Sequence, residues 1–189
     1  MKSQLPPKLK EYFSEKRFLH TLGCLEVGKL LGRIYKEDEK RVYEGIIFHD
    51  IARDWEFERI ISFLRENEIG VSSDDLNSPG ILHGFVASII ARKEFGIEDE
   101  EIILAIKYHS TGHPDFGRLG KIVYLADYLD PKRKLKGRRK ILSIAKRDLN
   151  EGVIEVIKEK LKYIIMQREF IHPVTVEFYN RIVNDLKTG

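Results

Sequence analysis

Residues 45–53 read GIIFHDIAR, and this stretch places His49 and Asp50 side by side directly after three apolar residues. Adjacent residues on a helix point about 100° apart, so the pair does not simply extend one polar face. An imidazole and a carboxylate that enter an apolar core together need a partner that satisfies both, and a divalent metal is such a partner. The stretch therefore predicts a metal site inside a helical core.

The composition indicates a globular protein that does not enter a membrane. The chain has 189 residues, of which 42% are hydrophobic and 33% charged, and its formal net charge is +3. A charge this small does not by itself indicate a nucleic-acid-binding protein. No stretch approaches the roughly 18 apolar residues of a membrane span, and the first residues lack the apolar region of a signal peptide. Cys24 is the single cysteine, so we expect no internal disulfide and a cytoplasmic location.

Apolar residues recur at helical spacing along nearly the whole chain, and no window alternates as a strand does. The predicted fold class is therefore all-α, with one domain over residues 1–189, a core at about 17–135 and C-terminal helices at about 137–187 packed on it. Residues 71–80 (VSSDDLNSPG) and 110–117 (STGHPDFG) are predicted turns or loops. Helices are predicted at 18–34, 38–52, 55–65, 81–95 (ended by Gly96), 98–108, 118–129, 141–167 (broken near Gly152) and 174–186.

Two further polar residues lie in apolar helical segments, His20 in RFLHTLG and Asp127 in YLADYLD. With His49 and Asp50 they form the predicted metal site. Imidazole nitrogens and carboxylate oxygens suit Fe, Mn, Zn or Co, and they leave positions open for water and phosphate. Taken singly, each residue is better interpreted as an ordinary hydrogen-bonded side chain, but all four in this order favour a metal.

A second group consists of His83 in ILHGFVAS and His109 in AIKYHSTG. These histidines are candidates for a second metal or for phosphate binding, and the alternative is that they are surface or capping residues. Two metals would hold both the attacking and the leaving oxygen of a phosphoryl transfer. By spacing alone, His113 and His172 are better interpreted as loop histidines.

Basic residues near the predicted site are candidates for phosphate binding. Arg53 follows Asp50 by one short turn, and Arg133 closes ADYLDPKR. Arginine suits this role because its planar guanidinium pairs with phosphate through two parallel hydrogen bonds. The run PKRKLKGRRK contains seven Lys or Arg in ten residues, and its part at 136–140 favours a solvated face over a nucleic-acid patch.

The ordered set H…HD…H…H…D resembles the HD-domain phosphohydrolase superfamily and, within it, the YqeK family of symmetrical bis(5'-nucleosyl)-tetraphosphatases. The resemblance rests on RFLHTLG, FHDIAR, ILHG, AIKYHSTG, KIVYLADYLDPKR and PVTVEFYN, which spread over residues 17–180. H…HD…D alone marks only the superfamily, whereas the YHSTG loop and the ADYLDP-R segment are more specific.

The resemblance implies an HD-domain helical bundle that binds iron, with Mn, Co or Zn as alternatives, through His20, His49, Asp50 and Asp127. Catalytic roles would fall to His83, His109 and Arg53. The implied nucleotide contacts come from His20, Asp50, Arg53, His83, His109, Ser110, Asp127, Arg133, Phe170, His172 and Thr175.

The expected function is metal-dependent hydrolysis of diadenosine tetraphosphate to two ADP, through attack of a metal-activated water on a central phosphorus. Two alternatives stay open at this point. One is another nucleotide phosphohydrolase or a 5'-nucleotidase, and the other is a helical nucleotide- or RNA-binding module without activity. The expected partners are a dinucleoside polyphosphate and ADP, without nucleic acid, and a homodimer is a further hypothesis.

Overall fold

The computed structural model describes residues 7–188, and within that range it contains helices and no strand. The prediction of an all-α fold is confirmed. Two short 3-10 helices span Pro7–Tyr12 and Pro79–Ile81. The α-helices of the described residues are α1 (Glu15–Tyr35), α2 (Glu39–Phe48), α3 (Phe57–Glu66), α4 (Ser73–Asn77), α5 (Leu82–Phe95), α6 (Glu100–Tyr108), α7 (Arg118–Tyr128), α8 (Arg138–Ala145), α9 (Leu149–Gln167) and α10 (Pro173–Thr188).

Helix α7 lies at the centre of the bundle, where it packs against α1, α2, α6 and α9. Its residues Leu119, Ile122 and Leu125 are fully buried. Asp127, one residue before the end of this helix, is therefore carried into the interior together with its apolar neighbours. Within residues 7–188, no helix combines the length and hydropathy that a membrane span requires.

The HD pair lies just beyond α2, which ends at Phe48, so the predicted helix at 38–52 extends too far. The chain continues in tighter turns, in which Ile51 donates its N–H to the carbonyl of Phe48 and Arg53 donates to Asp50. Nδ1 of His49 donates a hydrogen bond to the carbonyl of Ile46 at 2.6 Å, so this carbonyl at the helix end is satisfied by a side chain. Both side chains of the pair consequently lie at a helix terminus.

The predicted helix at 141–167 is two helices, and its break lies before Gly152 and not at it. Asp148 ends the gap between α8 and α9, and its carboxylate accepts a hydrogen bond from the N–H of Glu151 at 3.0 Å. Gly152 lies inside α9, where a side chain would overlap Ala145 of α8. The predicted break near Gly152 is confirmed at residues 146–148, whereas Gly152 itself permits close packing of α9 against α8.

The predicted turn at 71–80 contains the short helix α4, which a capping box stabilises. Ser72 Oγ accepts from the N–H of Asp75, while the Asp75 carboxylate accepts from the N–H of Ser72. The other helices lie within a few residues of the predicted ranges. Gly96 ends α5 in the left-handed conformation with φ 69°, as predicted.

Candidate metal centre

Six side chains from separate parts of the chain meet in the interior between α1, α2, α5, α6 and α7. His20 comes from α1 and His83 from α5, while Asp127 comes from α7. The others follow the ends of α2 and α6. All six are buried, with relative exposures between 1% and 8%: His20, His49, Asp50, His83, His109 and Asp127.

The four residues of the predicted first metal site form one group. His20 Nε2 lies 3.1 Å from Asp127 Oδ1 and 3.6 Å from Asp50 Oδ2. His49 Nε2 lies 3.8 Å from each of the same two oxygen atoms and 3.4 Å from His20 Nε2. Two imidazole nitrogens and two carboxylate oxygens therefore surround one small volume.

The two histidines of the second group approach the other oxygen of the same aspartate. Asp50 Oδ1 lies 3.1 Å from His83 Nε2 and 3.6 Å from His109 Nε2, and the two nitrogens are 3.0 Å apart. Asp50 thus directs Oδ2 towards the first group and Oδ1 towards the second. This arrangement offers two adjacent volumes for cations, with one carboxylate between them.

The second nitrogen of three imidazoles is fixed by an acceptor. His20 Nδ1 bonds Asp130 Oδ2 at 2.8 Å, and the Nδ1 atoms of His49 and His109 bond the carbonyls of Ile46 and Ile106 at 2.6 and 2.8 Å. Carbonyls and carboxylates only accept, so each Nδ1 carries the hydrogen. In a neutral imidazole the Nε2 lone pair then faces the carboxylates, which is how proteins orient histidine ligands for metals.

The nitrogen and oxygen atoms of the cluster are better placed to ligate a divalent cation than to form hydrogen bonds with one another. With both imidazoles neutral, the Nε2 lone pairs of His20 and His49 would repel at 3.4 Å, and the carboxylates at 3.8 Å from His49 Nε2 are beyond normal hydrogen-bond length. Ligand atoms of two sets lie within 4.8 Å of one another: His20, Cys24, His49 and Asp127 in one, and His49, Asp50 and His109 in the other. The chain therefore contains a His/Asp cluster of the kind that holds a metal.

The protonation states of the cluster also suit a cation. Burial lowers the pKa of His49 to about 4, which keeps its imidazole neutral. Burial alone would raise the pKa of Asp50 and Asp127. The surrounding His49, His109 and His83 at Asp50, and Arg133 with the hydrogen bond from His20 at Asp127, outweigh burial and keep both pKa values well below the ordinary value. Burial lowers the pKa of His20, yet hydrogen bonds to Asp127 and Asp130 raise it to about 9. A proton and a metal therefore compete for His20 Nε2.

His83 differs from the other histidines because its Nδ1 lies near both an acceptor and a donor. The carbonyl of Gly80 is 2.7 Å away and Arg53 Nη1 is 3.2 Å away. If Nδ1 donates to Gly80, Nε2 is free to ligate. If Nδ1 accepts from Arg53, Nε2 carries the hydrogen and can donate to Asp50 or to a substrate oxygen.

A cavity with a volume of about 530 Å³ opens next to this cluster. That size falls within the usual range for small-molecule sites. Of the predicted substrate contacts it brings together Asp50, Arg53, His83, His109, Ser110, Asp127 and Arg133. Its remaining lining residues are Gly80, Tyr128, Leu135, Glu159, Lys160, Tyr163, Ile164 and Glu169.

Four predicted contacts are absent from the lining of this cavity: His20, which lies in the metal cluster itself, and Phe170, His172 and Thr175. Phe170 is 41% exposed beyond the end of α9. His172 Nε2 bonds Asp75 Oδ1 at 3.2 Å, and Thr175 Oγ1 donates to the carbonyl of Thr111 at 3.2 Å. The last two residues hold the start of α10 against α4 and the loop after α6. Their contact with substrate stays a prediction.

The cationic side chains differ in how far their charge is already compensated. Arg133 Nη2 lies 2.9 Å from Asp127 Oδ1 and 3.3 Å from His20 Nε2, in contact with the cluster itself. Arg53 Nη1 donates to the carbonyl of Gly80 at 2.6 Å. Lys160 Nζ donates to the carbonyl of Ser110 at 2.9 Å, and burial lowers its pKa to about 8.

Besides the remaining lining residues named above, the sequence predictions missed three residues that contact the cluster and one cation of the cavity. Asp130 orients His20, Arg17 pairs with Asp50 through Nη1 and Oδ2 at 3.0 Å, and Cys24 Sγ lies 3.4 Å from His20 Nε2. Burial raises the pKa of this thiol. Lys160 is the fourth, and it interrupts the apolar stripe that Val153, Ile157 and Ile164 form at helical spacing. That interruption is a signal that the sequence carries.

Comparison with known proteins agrees with this geometry. The profile of the HD domain matches residues 17–132, and the chain belongs to the HD domain family. Relatives named "Bis(5'-nucleosyl)-tetraphosphatase, symmetrical" include one from Halalkalibacterium halodurans, 32% identical over 95% of both chains. Another, from Bacillus subtilis, is 30% identical over 93% of this chain and 94% of the relative.

A solved structure from Clostridium acetobutylicum has the same fold. It is described as a predicted HD superfamily hydrolase involved in NAD metabolism, and it superimposes with a TM-score of 0.89 at 32% identity. The match covers 94% of this chain and 96% of the other. The helical bundle described above is therefore that of an HD superfamily hydrolase.

Proposed function

We propose that this protein is a metal-dependent hydrolase that cleaves diadenosine tetraphosphate symmetrically into two ADP. The names of relatives that match over most of the chain support the substrate and the position of the cut. The observation that carries the proposal is the buried cluster of four imidazoles and two carboxylates, which opens into a cavity lined by cationic side chains. A hydrolase for a polyphosphate needs both features at one place.

In this proposal His20, His49, Asp50 and Asp127 hold a divalent metal, which we take to be iron. His83, His109 and the second oxygen of Asp50 are candidate ligands for a second metal. Supporting this, imidazole and carboxylate together suit Fe, Mn, Co and Zn. When bound, such a metal acidifies water and polarises phosphoryl oxygens. Asp130, Ile46 and Ile106 keep the ligand imidazoles in the required tautomer.

The residues of the chain bind and orient the phosphates around that centre. Arg53 and Arg133 bind oxygens of the central phosphates and stabilise the charge that gathers there in the transition state. Water adds to one central phosphorus, the bond to the bridging oxygen breaks, and that oxygen leaves as part of the second ADP. The proton for that oxygen comes from His83 or His109, whichever does not ligate a metal. The two bonding options of His83 Nδ1 favour His83, because Nδ1 of His109 holds its hydrogen towards the carbonyl of Ile106.

Further features belong to the same proposal. Ser110 binds substrate from the cavity wall, and Phe170, His172 and Thr175 contact the nucleotide from the segment around the start of α10.

We place the whole chain in a single HD-type domain in which α8, α9 and α10 pack on the core, and we assign the protein to the cytoplasm. Exposed Ile165 and Met166 on α9 support a homodimer.

The decisive experiment combines metal analysis with product identification. Protein purified without chelator should contain a stoichiometric transition metal. In heavy-oxygen water it should convert diadenosine tetraphosphate to ADP as the only nucleotide product, with label on one ADP per turnover. Formation of ATP and AMP would contradict the symmetrical cut but not the hydrolase. Absence of turnover with Fe, Mn, Co and Zn would contradict the hydrolase itself.

A further inference from the structure

Lys160 lies in helix α9, which is outside the segment matched by the HD domain profile. That match ends at residue 132, yet Lys160 lines the cavity together with Asp50 and Arg53. Its stem continues the apolar stripe of α9, and its Nζ reaches the carbonyl of Ser110 at 2.9 Å. A residue of the C-terminal extension thus brings a positive charge to the cavity of the core.

The groups in direct contact with this ammonium are neutral, although Asp127 and Arg133 act on it from further away. Nζ lies 4.0 Å from the centroid of the Tyr124 ring and 5.9 Å from that of Tyr128, so it is held by a carbonyl and by the faces of aromatic rings. Among residues 7–188, no carboxylate lies within ion-pair distance of Nζ. The group can donate three hydrogen bonds, and the structure accounts for one of them.

Other cations of the site are already balanced by carboxylates. Arg133 pairs with Asp127 at 2.9 Å, and Arg17 pairs with Asp50 at 3.0 Å. A substrate with one negative charge on each phosphate needs cations that are not balanced by protein carboxylates. Arg53 and Lys160 meet that requirement among the cationic residues that line the cavity.

We propose that Lys160 binds a phosphate oxygen of the nucleotide directly, so that helix α9 contributes a substrate-binding residue to the HD core. This inference rests on the proposed function, because it takes the ligand of the cavity to be a nucleoside polyphosphate. An ammonium held at one carbonyl keeps two hydrogens for the incoming phosphate. The alternative is a structural clamp in which Lys160 only joins α9 to the loop after α6.

Equilibrium titration of ADP and of adenosine into the purified full-length protein separates these two roles. Lys160→Met should weaken ADP binding about 10- to 100-fold, because a charge-assisted hydrogen bond is lost. Adenosine carries no phosphate, so its affinity should change less than about twofold. Lys160→Arg should restore part of the ADP affinity. The matched control is Lys162→Met, which changes an exposed lysine of the same helix that does not line the cavity.

Three results would overturn the inference: equal loss of ADP and adenosine affinity, an unchanged ADP affinity, or an equal effect of Lys162→Met. Lys160→Gln, which can still donate to Ser110, is the second variant if Lys160→Met does not fold. Failure of both to fold would assign the structural role instead, and so would a wild type that binds no ADP. A wild type that binds ADP through Lys160 but leaves diadenosine tetraphosphate intact would refute the proposed function alone.

Discussion

In the candidate metal centre, the partner of Nδ1 determines how each imidazole is oriented and how strongly its Nε2 can bind a metal. His49 and His109 use a carbonyl three residues earlier in the chain, at 2.6 and 2.8 Å. His20 uses the carboxylate of Asp130, which lies 110 residues away in sequence. A carboxylate partner makes an imidazole a stronger ligand than a carbonyl does, because it stabilises positive charge on the ring. His20 should therefore depend on its partner more than the others do.

Replacing Asp130 with asparagine tests this dependence. Asp130→Asn removes the charge behind His20 while keeping the shape of the side chain, and we expect metal affinity to fall about 10- to 100-fold. Titration of the metal-free protein with Co²⁺ or Mn²⁺, followed by calorimetry, measures the change. Asp115→Asn, an exposed aspartate near His113, is the control and should leave the affinity unchanged. Equal affinities for wild type and Asp130→Asn would contradict the orienting role.

Arg133 should act on phosphate and not on the metal content. Arg133→Ala removes a charge-assisted hydrogen bond worth roughly 1.5–3 kcal/mol, so kcat/KM should fall about 10- to 150-fold while bound metal is retained. Arg133→Lys should recover only part of the loss, since it lacks the planar fork. The comparison is Lys136→Ala, an exposed residue of the same basic run. If Lys136→Ala is as damaging as Arg133→Ala, the basic run itself binds the substrate.

At the scale of helices, two glycines let the elements approach closely enough to assemble the cluster. A side chain at Gly23 of α1 would overlap the carboxylate of Asp130, and one at Gly84 of α5 would overlap the carbonyl of Lys107 in α6. The first contact lets Asp130 reach His20. The second brings α5 against α6, where His83 and His109 face each other with 3.0 Å between their Nε2 atoms. Helix packing thus determines the distances within the site.

The capping box of α4 should give a pH-dependent contribution to stability. Burial raises the pKa of Asp75, but hydrogen bonds from Ser72 and His172 outweigh it and lower the pKa below its ordinary value. A lowered folded-state pKa means that the stabilisation is present above the unfolded pKa and is lost as the pH falls through the folded pKa. Asp75→Ala should therefore cost about 0.5–2 kcal/mol at neutral pH and progressively less below about pH 4.

Urea unfolding of wild type and Asp75→Ala between pH 7 and pH 3 measures this difference. Asp74 lies outside the capping box, so for Asp74→Ala the difference in unfolding free energy from wild type should not become smaller as the pH falls. A stability difference that stays constant over the whole range would mean that the Asp75 carboxylate is not the stabilising species.

For the whole molecule, metal binding and folding should be coupled, because the six residues of the cluster come from five helices or helix ends. A ligand that binds only the folded state at a concentration 100-fold above its Kd stabilises by about 2.7 kcal/mol. For a protein of this size, we expect chelation to lower Tm by roughly 5–10 °C. Differential scanning calorimetry with and without chelator provides the measurement.

Two histidine variants make the chelation experiment specific. His49→Ala should lower Tm by itself and abolish the response to chelator, since the cluster no longer holds the metal. His113→Ala, which removes a histidine stacked on Tyr108 outside the cluster, should keep the full response. A chelator effect that persists in His49→Ala would place the metal elsewhere in the molecule.

Local features were enough to predict the helical class and much of the site. Helical spacing of apolar residues defines helices within a few residues, because it depends on neighbours three and four positions apart. His20, His49 and Asp127 could be selected because a polar residue in an apolar stripe needs a partner. The HD domain family could be recognised from the same motifs. These properties depend only on residues that are close to one another in the sequence.

The partners of those residues depend on contacts across the chain, and only the tertiary structure decided them. His20 meets Asp127 across 107 residues, and Lys160 meets Ser110 across 50. The end of α2 before His49 and the break before Gly152 follow instead from local hydrogen bonds, His49 with Ile46 and Glu151 with Asp148, which the apolar periodicity does not contain. Asp50 presents one oxygen to each histidine group because the packing of α1, α5, α6 and α7 brings both groups around it. The sequence determined which chemical groups are present, whereas helix packing decided which of them share one volume.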